Sequence, residues 1–110
     1  MDISDWRERI DAIDAQLVEL LNQRCRCAQA IGHLKRNQSM PIYEPNREKK
    51  VLGNVFQANQ GPLSDAALQH IFERIIDEMR AIQKVELLAP ETSEAPGEAA
   101  NRQRQGRTDG

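Results

Sequence analysis

The chain has 110 residues, of which 39% are hydrophobic and only 4% aromatic, a composition that favours one small helical domain over a sheet protein. Its 15 basic and 17 acidic side chains give a formal net charge of −2, so no overall field attracts nucleic acid or an anionic membrane. No apolar run approaches the roughly 20 residues of a membrane span, and the N-terminus lacks the features of a signal peptide, so we expect a cytoplasmic protein.

The first predicted element is one long amphipathic helix from Ser4 to about Asn37. Apolar residues recur in it at steps of three and four, and the segment contains no proline, which is the pattern of a helix with one buried face. Either Asp2 or Ser4 can cap its first turn. Such a helix extends roughly 50 Å, which is longer than a compact monomer of this size needs.

A turn over about residues 38–45 separates this helix from a second, short one. Pro45 suits the first turn of that helix, and Gly61 marks its predicted end. Ser64 then caps a third helix, again long, whose apolar positions continue to about Leu88. The sequence therefore predicts an all-α fold of three helices in the order long, short, long.

The last part of the chain has a different composition. Residues 89–110 contain no large apolar side chain and are rich in Ala, Glu, Pro, Gly, Gln and Arg. Such a segment cannot bury enough apolar surface to offset the entropy of ordering it. The prediction is one domain over residues 1–88 and a disordered tail over residues 89–110.

The apolar stripe of the long first helix implies a second chain. Three helices of unequal length cannot cover each other's stripes completely, and Trp6, Ile10 and Ile13 are left without partners. An uncovered stripe of this kind is typical of a subunit interface. We therefore expect a homodimer.

Two cations interrupt the apolar stripe of the first helix. Arg24 and Lys35 are 11 residues apart, close to three full turns, so they lie on one line along the helix. A cation in an apolar stripe is costly unless an anion or polar group meets it. Two aligned cations favour a bound anion, and in a dimer Arg7 of one chain can reach the pocket of the other.

The later helices add further polar candidates. Gln83 follows the inward positions of the third helix, and a buried amide must find partners. Arg47 and Glu48 occupy the first turn of the second helix, beside Glu44 in the preceding loop. The two histidines have no metal-ligand spacing, and no phosphate loop or nucleophile elbow is present. These residues suit a small dianion and chemistry driven by electrostatics rather than by a nucleophile.

Four segments together resemble one known family. They are "WRERIDAIDAQLVELLNQR", "AIGHLK", "PIYEPNREKKVL" and "IFERIIDEMRAIQ". In this order and spacing, over about residues 5 to 87, they resemble the all-helical chorismate mutases of the AroQ type. The resemblance implies an intertwined homodimeric helical bundle.

The resemblance also implies roles for the cations and the amide. Arg24 and Arg47 would bind the carboxylates of chorismate, and Arg7 would come from the other protomer. Lys35 and Gln83 would donate hydrogen bonds to the ether oxygen of the breaking bond. The reaction is a Claisen rearrangement of chorismate to prephenate, in phenylalanine and tyrosine biosynthesis, and it needs no cofactor.

Three further positions complete the site that the resemblance implies. Glu48 would accept a hydrogen bond from the ring hydroxyl. Glu44 would be a substrate-binding residue of the loop, where the family commonly has an aspartate that makes a supporting hydrogen bond, and it is one methylene longer than that aspartate. Met79 occupies a substrate-contacting position where relatives often have a small polar residue.

Two alternative functions share this fold. One is isochorismate pyruvate lyase, which has a similar cationic pocket, and the other is a non-catalytic helical dimer that acts as an adaptor or regulatory partner. Another enzyme of the shikimate pathway can activate short mutases of this type, and the sequence leaves such a partner open. A nucleic-acid-binding hairpin is disfavoured by the near-neutral charge and the scarcity of aromatic residues.

Overall fold

The computed structural model describes residues 1–88, and the tail predicted for residues 89–110 lies outside the described residues. The described part of the chain contains three helices, α1 (Ile3–Gln38), α2 (Pro45–Ala58) and α3 (Asp65–Leu88). The predicted all-α class and the long, short, long order are confirmed. None of these helices is long and apolar enough to cross a membrane.

The first of two compact units includes residues 1–27, and its helix begins with a reciprocal cap. The amide of Asp5 donates to Asp2 Oδ1 at 3.0 Å, and the amide of Asp2 donates to Asp5 Oδ2 at 3.0 Å. These bonds satisfy two amides that have no carbonyl partner within the helix. Asp2, and not Ser4, is therefore the capping residue of α1.

The apolar stripe of this unit is open to solvent. Trp6, Ile10 and Ile13 are 51%, 53% and 50% exposed. Their helical spacing is that of a face that normally packs against another element. The exposure predicted for these three side chains is thus observed in the single chain.

The second unit includes residues 28–88 and begins with the last turns of α1. Ser39 has a φ of 55°, and the amide of Met40 donates to the carbonyl oxygen of Lys35 at 2.9 Å. This is the Schellman pattern, in which a residue of left-handed conformation ends a helix. Serine is used here in place of the usual glycine, and the helix ends at Gln38, one residue after the end at about Asn37 that the sequence predicts.

The connection from α2 to α3 is ordered by one asparagine. α2 ends just before Asn59, slightly earlier than the end at Gly61 that the sequence predicts. The Asn59 amide side chain donates to Asp65 Oδ1 at 2.8 Å and accepts from the amide of Gly61 at 2.9 Å, so these bonds favour a turn over another helical residue. Ser64 Oγ accepts from the amide of Ala67 at 3.1 Å, which confirms its predicted role as a cap.

The interior of the second unit is small and partly polar. Its buried side chains come from α1 and α3 and are Ala28, Gln29, Gly32, Lys35, Ile76 and Met79. Among the described residues no large apolar side chain is fully buried. Large apolar side chains of this unit, such as Leu34, Ile71 and Val85, are instead 53%, 48% and 67% exposed.

Candidate active site

A buried lysine is the centre of the candidate site. Lys35 on α1 is only 6% exposed, and its ammonium nitrogen has three acceptors. These are Glu44 Oε1 at 2.8 Å, Gln83 Oε1 at 3.0 Å and the carbonyl oxygen of Ile42 at 3.1 Å. An ammonium group has three donors, so each N–H has a partner and the charge has a carboxylate beside it. This pairing is what makes a buried cation tolerable.

The close approach of α1 to α3 depends on a glycine. Gly32 lies one turn before Lys35 on the same face of α1. A Cβ atom at position 32 would be 2.9 Å from the carbonyl oxygen of Gln83 and 3.0 Å from both Gln83 Cα and Glu86 Cβ. The absence of a side chain here lets the two backbones approach closely enough for Lys35 and Gln83 to form a hydrogen bond.

A second cluster connects α3 to the start of α2. Arg80 Nη2 is 2.7 Å from Glu48 Oε2, and the guanidinium carbon lies 5.1 Å from the centre of the Tyr43 ring. The hydrogen bond with Glu48 is the main cause that raises the pKa of Arg80 above its ordinary value. Glu48 was predicted as a site residue, whereas Arg80 was not.

The missed arginine has a recognisable signal in the sequence. Arg80 follows Ile76 by four residues and precedes Gln83 by three, so it lies beside the inward positions of α3. The argument that singled out Arg24 and Lys35, a cation next to an apolar stripe, applies equally to Arg80.

The remaining predicted residues differ in their surroundings. In the second unit, Arg47 is exposed at the start of α2 and Met79 is buried on α3. In the first unit, Arg7 is exposed and Arg24 is partly buried. The structure thus brings Lys35 into direct contact with both Gln83 and Glu44. The binding of one ligand by arginines of two protomers stays a prediction.

An open groove borders the Arg80 cluster. It has a volume of about 470 Å³ and combines apolar side chains with a few charged ones. Its lining residues are Ile42, Tyr43, Asp77, Arg80, Ala81, Lys84, Leu87 and Leu88. The groove gives the edge of the candidate site access to solvent.

The chemistry available to this set of residues is electrostatic. Within residues 1–88 no three His, Cys, Asp or Glu side chains are grouped as metal ligands. The Lys35 ammonium and the Gln83 amide are instead adjacent donors in a partly buried setting. Donors fixed in this way stabilise negative charge that develops on a ligand oxygen.

Comparison with known proteins identifies the family. The family model of chorismate mutase type II matches residues 6–84. A bifunctional chorismate mutase/prephenate dehydratase from Neisseria gonorrhoeae is 38% identical over 78 residues, which are 71% of this chain and 21% of that protein. The corresponding protein of Pseudomonas aeruginosa is 36% identical over 93 residues, with 77% of this chain and 26% of that protein covered. The chain thus spans about a quarter or less of these relatives.

Two solved structures of chorismate mutases are also similar to this chain. Chorismate mutase from Helicobacter pylori in complex with prephenate has a TM-score of 0.74 and 29% identity, over 81% of this chain and 97% of that one. Chorismate mutase from Thermus thermophilus has a TM-score of 0.73 and 28% identity, over 74% and 93% of the two chains. Since the family model covers most of the described residues, this chain belongs to the chorismate mutase type II family.

Proposed function

We propose that this chain is a chorismate mutase that converts chorismate to prephenate in phenylalanine and tyrosine biosynthesis, in the cytoplasm, as the sequence predicts. The observation that carries the proposal is the contact between Lys35 and Gln83, 3.0 Å apart in a partly buried position. Membership of the family and a relative of similar fold whose structure contains prephenate support the same substrate class.

The rearrangement requires electrostatic stabilisation of the transition state and a correctly oriented substrate, and it does not require a nucleophile. One C–O bond breaks and one C–C bond forms within the same molecule, so no group leaves and no cofactor is consumed. Negative charge grows on the ether oxygen as the C–O bond lengthens. Lys35 and the Nε2 atom of Gln83 would donate to that oxygen, and donors that bind the transition state better than the substrate lower the barrier.

Substrate binding requires one partner of Lys35 to leave, because all three of its N–H groups are used. Glu44 is the partner we expect to move. It lies in the loop before α2, its side chain is 38% exposed, and its charge would be repelled by a dianion. The bond from Lys35 to Gln83 Oε1 can stay, and it would direct the amide NH₂ of Gln83 towards the ligand.

The other predicted residues complete the proposed site. Glu48 would accept from the ring hydroxyl, since Arg80 uses only its Oε2 atom. Arg24 and Arg47 would bind the two carboxylates and restrict the substrate to a compact conformer. Met79, which is buried, would contribute apolar contact only.

A homodimer is part of the proposal. The exposed side chains of Trp6, Ile10 and Ile13 form a row along α1 that a second copy can cover, and covering it would remove apolar surface from water. Arg7 lies beside this row, about 100° round the helix from Trp6, and would enter the site of the partner protomer. A further partner, another enzyme of the shikimate pathway, would bind that dimer and activate it.

Mixing two inactive variants tests the shared site. Arg7→Ala and Arg24→Ala homodimers should each lose most activity. After unfolding and refolding together, about half of the dimers would be mixed, each with one intact site, so we expect about a quarter of wild-type activity to return. A mixture that stays as inactive as its components, or a folded monomer in sedimentation at micromolar concentration, contradicts the shared site.

The function itself is tested by adding the purified chain to chorismate, following the loss of its absorbance and identifying the product. We expect prephenate. No turnover at micromolar protein contradicts the proposal, and pyruvate released from isochorismate identifies the lyase instead. Full function of an Arg24→Ala or Lys35→Ala variant would favour the non-catalytic adaptor.

The amide at position 83 should make activity insensitive to acid. Replacing it in a Gln83→Glu variant should lower kcat at neutral pH by about 10²-fold, because a carboxylate cannot donate to the ether oxygen. The protonated acid can donate, so the activity of the variant should rise as the pH falls. The measurement is kcat from pH 4 to 8 for both proteins. Parallel pH profiles would show that Gln83 is not the donor.

A further inference from the structure

Arg80 is a charged side chain of the second unit whose contacts join α3, α2 and the loop between α1 and α2. Its Nη2 atom is 2.7 Å from Glu48 Oε2, and its Nη1 atom is 3.5 Å from Asp77 Oδ1. Its guanidinium carbon lies 5.1 Å from the centre of the Tyr43 ring. The cation–π contact with the ring and the bond to Glu48 together restrict the position of the guanidinium group.

The contact between Arg80 and Glu48 determines which carboxylate oxygen of Glu48 can accept a hydrogen bond from a ligand. With Oε2 accepting from Arg80, Oε1 is the oxygen left to accept from a hydroxyl group. A glutamate in the first turn of a helix has several rotamers, and the arginine selects one of them. The acceptor is therefore oriented before the ligand arrives, which reduces the entropy cost of binding.

The contact also changes the charge that a ligand meets. In the second unit, Lys35 offsets Glu44 and Arg80 offsets Glu48. Without Arg80, the carboxylate of Glu48 would face a dianionic substrate with no cation beside it, and the repulsion would weaken binding. Arg80 remains protonated throughout, because the hydrogen bond with Glu48 raises its pKa further.

We propose that Arg80 is a positioning residue, which orients Glu48 and neutralises its charge so that this site accepts a hydroxyl-bearing dianion. The inference rests on the proposed function, because it takes chorismate and prephenate as the dianions. Arg80 need not touch the substrate for this role. We expect Arg80 to affect the binding of the dianion only by way of the orientation and charge of Glu48.

The test is a double-variant cycle, with the affinity for prephenate measured by calorimetry and kcat/KM for chorismate measured by absorbance. Arg80→Met should raise the Kd about ten-fold, a modest change because the pair is partly exposed. Glu48→Gln removes the charge that Arg80 offsets. In that background, Arg80→Met should change the Kd by less than about three-fold, so the two effects should not add.

Two further variants separate positioning from folding. Arg80→Lys keeps the cation, and its Kd should stay within about three-fold of the wild-type value. Arg74→Met is the matched control, because Arg74 also lies on α3 and pairs with a carboxylate, Glu78 at 3.0 Å, but its side chain is 77% exposed. Its Kd should not change. An Arg80→Met variant whose helical circular dichroism and unfolding midpoint match those of Arg74→Met is folded.

The outcomes distinguish the inference from the proposed function. Equal prephenate affinity of wild-type protein and Arg80→Met contradicts the inference, whether or not chorismate is converted. Additive effects of Arg80→Met and Glu48→Gln contradict it as well, because they show that Arg80 does not act through Glu48. If the wild type binds prephenate with the expected coupling but does not convert chorismate, the proposed function fails and the role of Arg80 stands.

Discussion

Replacing Lys35 by methionine is expected to lower kcat by about 10²- to 10³-fold, because a fixed donor to a developing oxyanion has an effect of this size. Methionine keeps the apolar stem and fills similar space on α1, so the helices should form. The variant loses the three hydrogen bonds that the Lys35 ammonium group donates, so the Oε1 atom of Gln83 loses this donor. We expect unfolding free energy to fall by about 1–3 kcal/mol.

The matched control is Lys50→Met on α2, where the lysine is exposed. Its kcat should stay within about two-fold of wild type, and its unfolding free energy within about 0.5 kcal/mol. Both variants are measured by chorismate absorbance and by urea unfolding. A Lys35→Met protein that is folded and retains more than about a third of the wild-type kcat would exclude Lys35 as the donor.

The helices could be predicted because their signals are local. The three-and-four spacing of apolar residues, Pro45 in the first turn of α2 and Ser64 as the cap of α3 each follow from the properties of a short segment. The end of α1 was predicted to within one residue, at about Asn37 against Gln38. The left-handed conformation of Ser39 that forms this end is one that usually requires glycine, and the sequence does not indicate it. The early end of α2 depends on side-chain bonds of Asn59 that compete with one more helical turn.

The candidate site was predictable in its residue types but not in its contacts. A cation and an amide on the inward faces of two amphipathic helices are enough to select Lys35 and Gln83 from the sequence as candidate residues. One acceptor of Lys35 is the carbonyl oxygen of Ile42, and a backbone group has no signature in the residue type. The partner of Glu48 is Arg80, 32 residues away, so their pairing depends on how α2 packs on α3.

Gly32 connects the packing of α1 on α3 with catalysis, because it lies on the same face of α1 as Lys35. Gly32→Ala should destabilise the protein by about 1–3 kcal/mol, because the new Cβ would be 2.9 Å from the carbonyl oxygen of Gln83 and a backbone cannot rotate away as a side chain can. The helices must separate at this point. Since Lys35 and Gln83 are on the same two faces, we expect kcat to fall at least ten-fold as their hydrogen bond lengthens.

Gly53→Ala is the matched control for this prediction. Gly53 lies within α2 and is exposed, and a Cβ atom there would meet no other atom within 4 Å. Alanine is the better helix former, so this variant should gain about 0.5–1 kcal/mol in unfolding free energy with kcat unchanged. Urea unfolding and the chorismate assay measure both effects. If Gly32→Ala were as stable and as active as Gly53→Ala, the close approach of α1 and α3 would not determine the distance between the two donors.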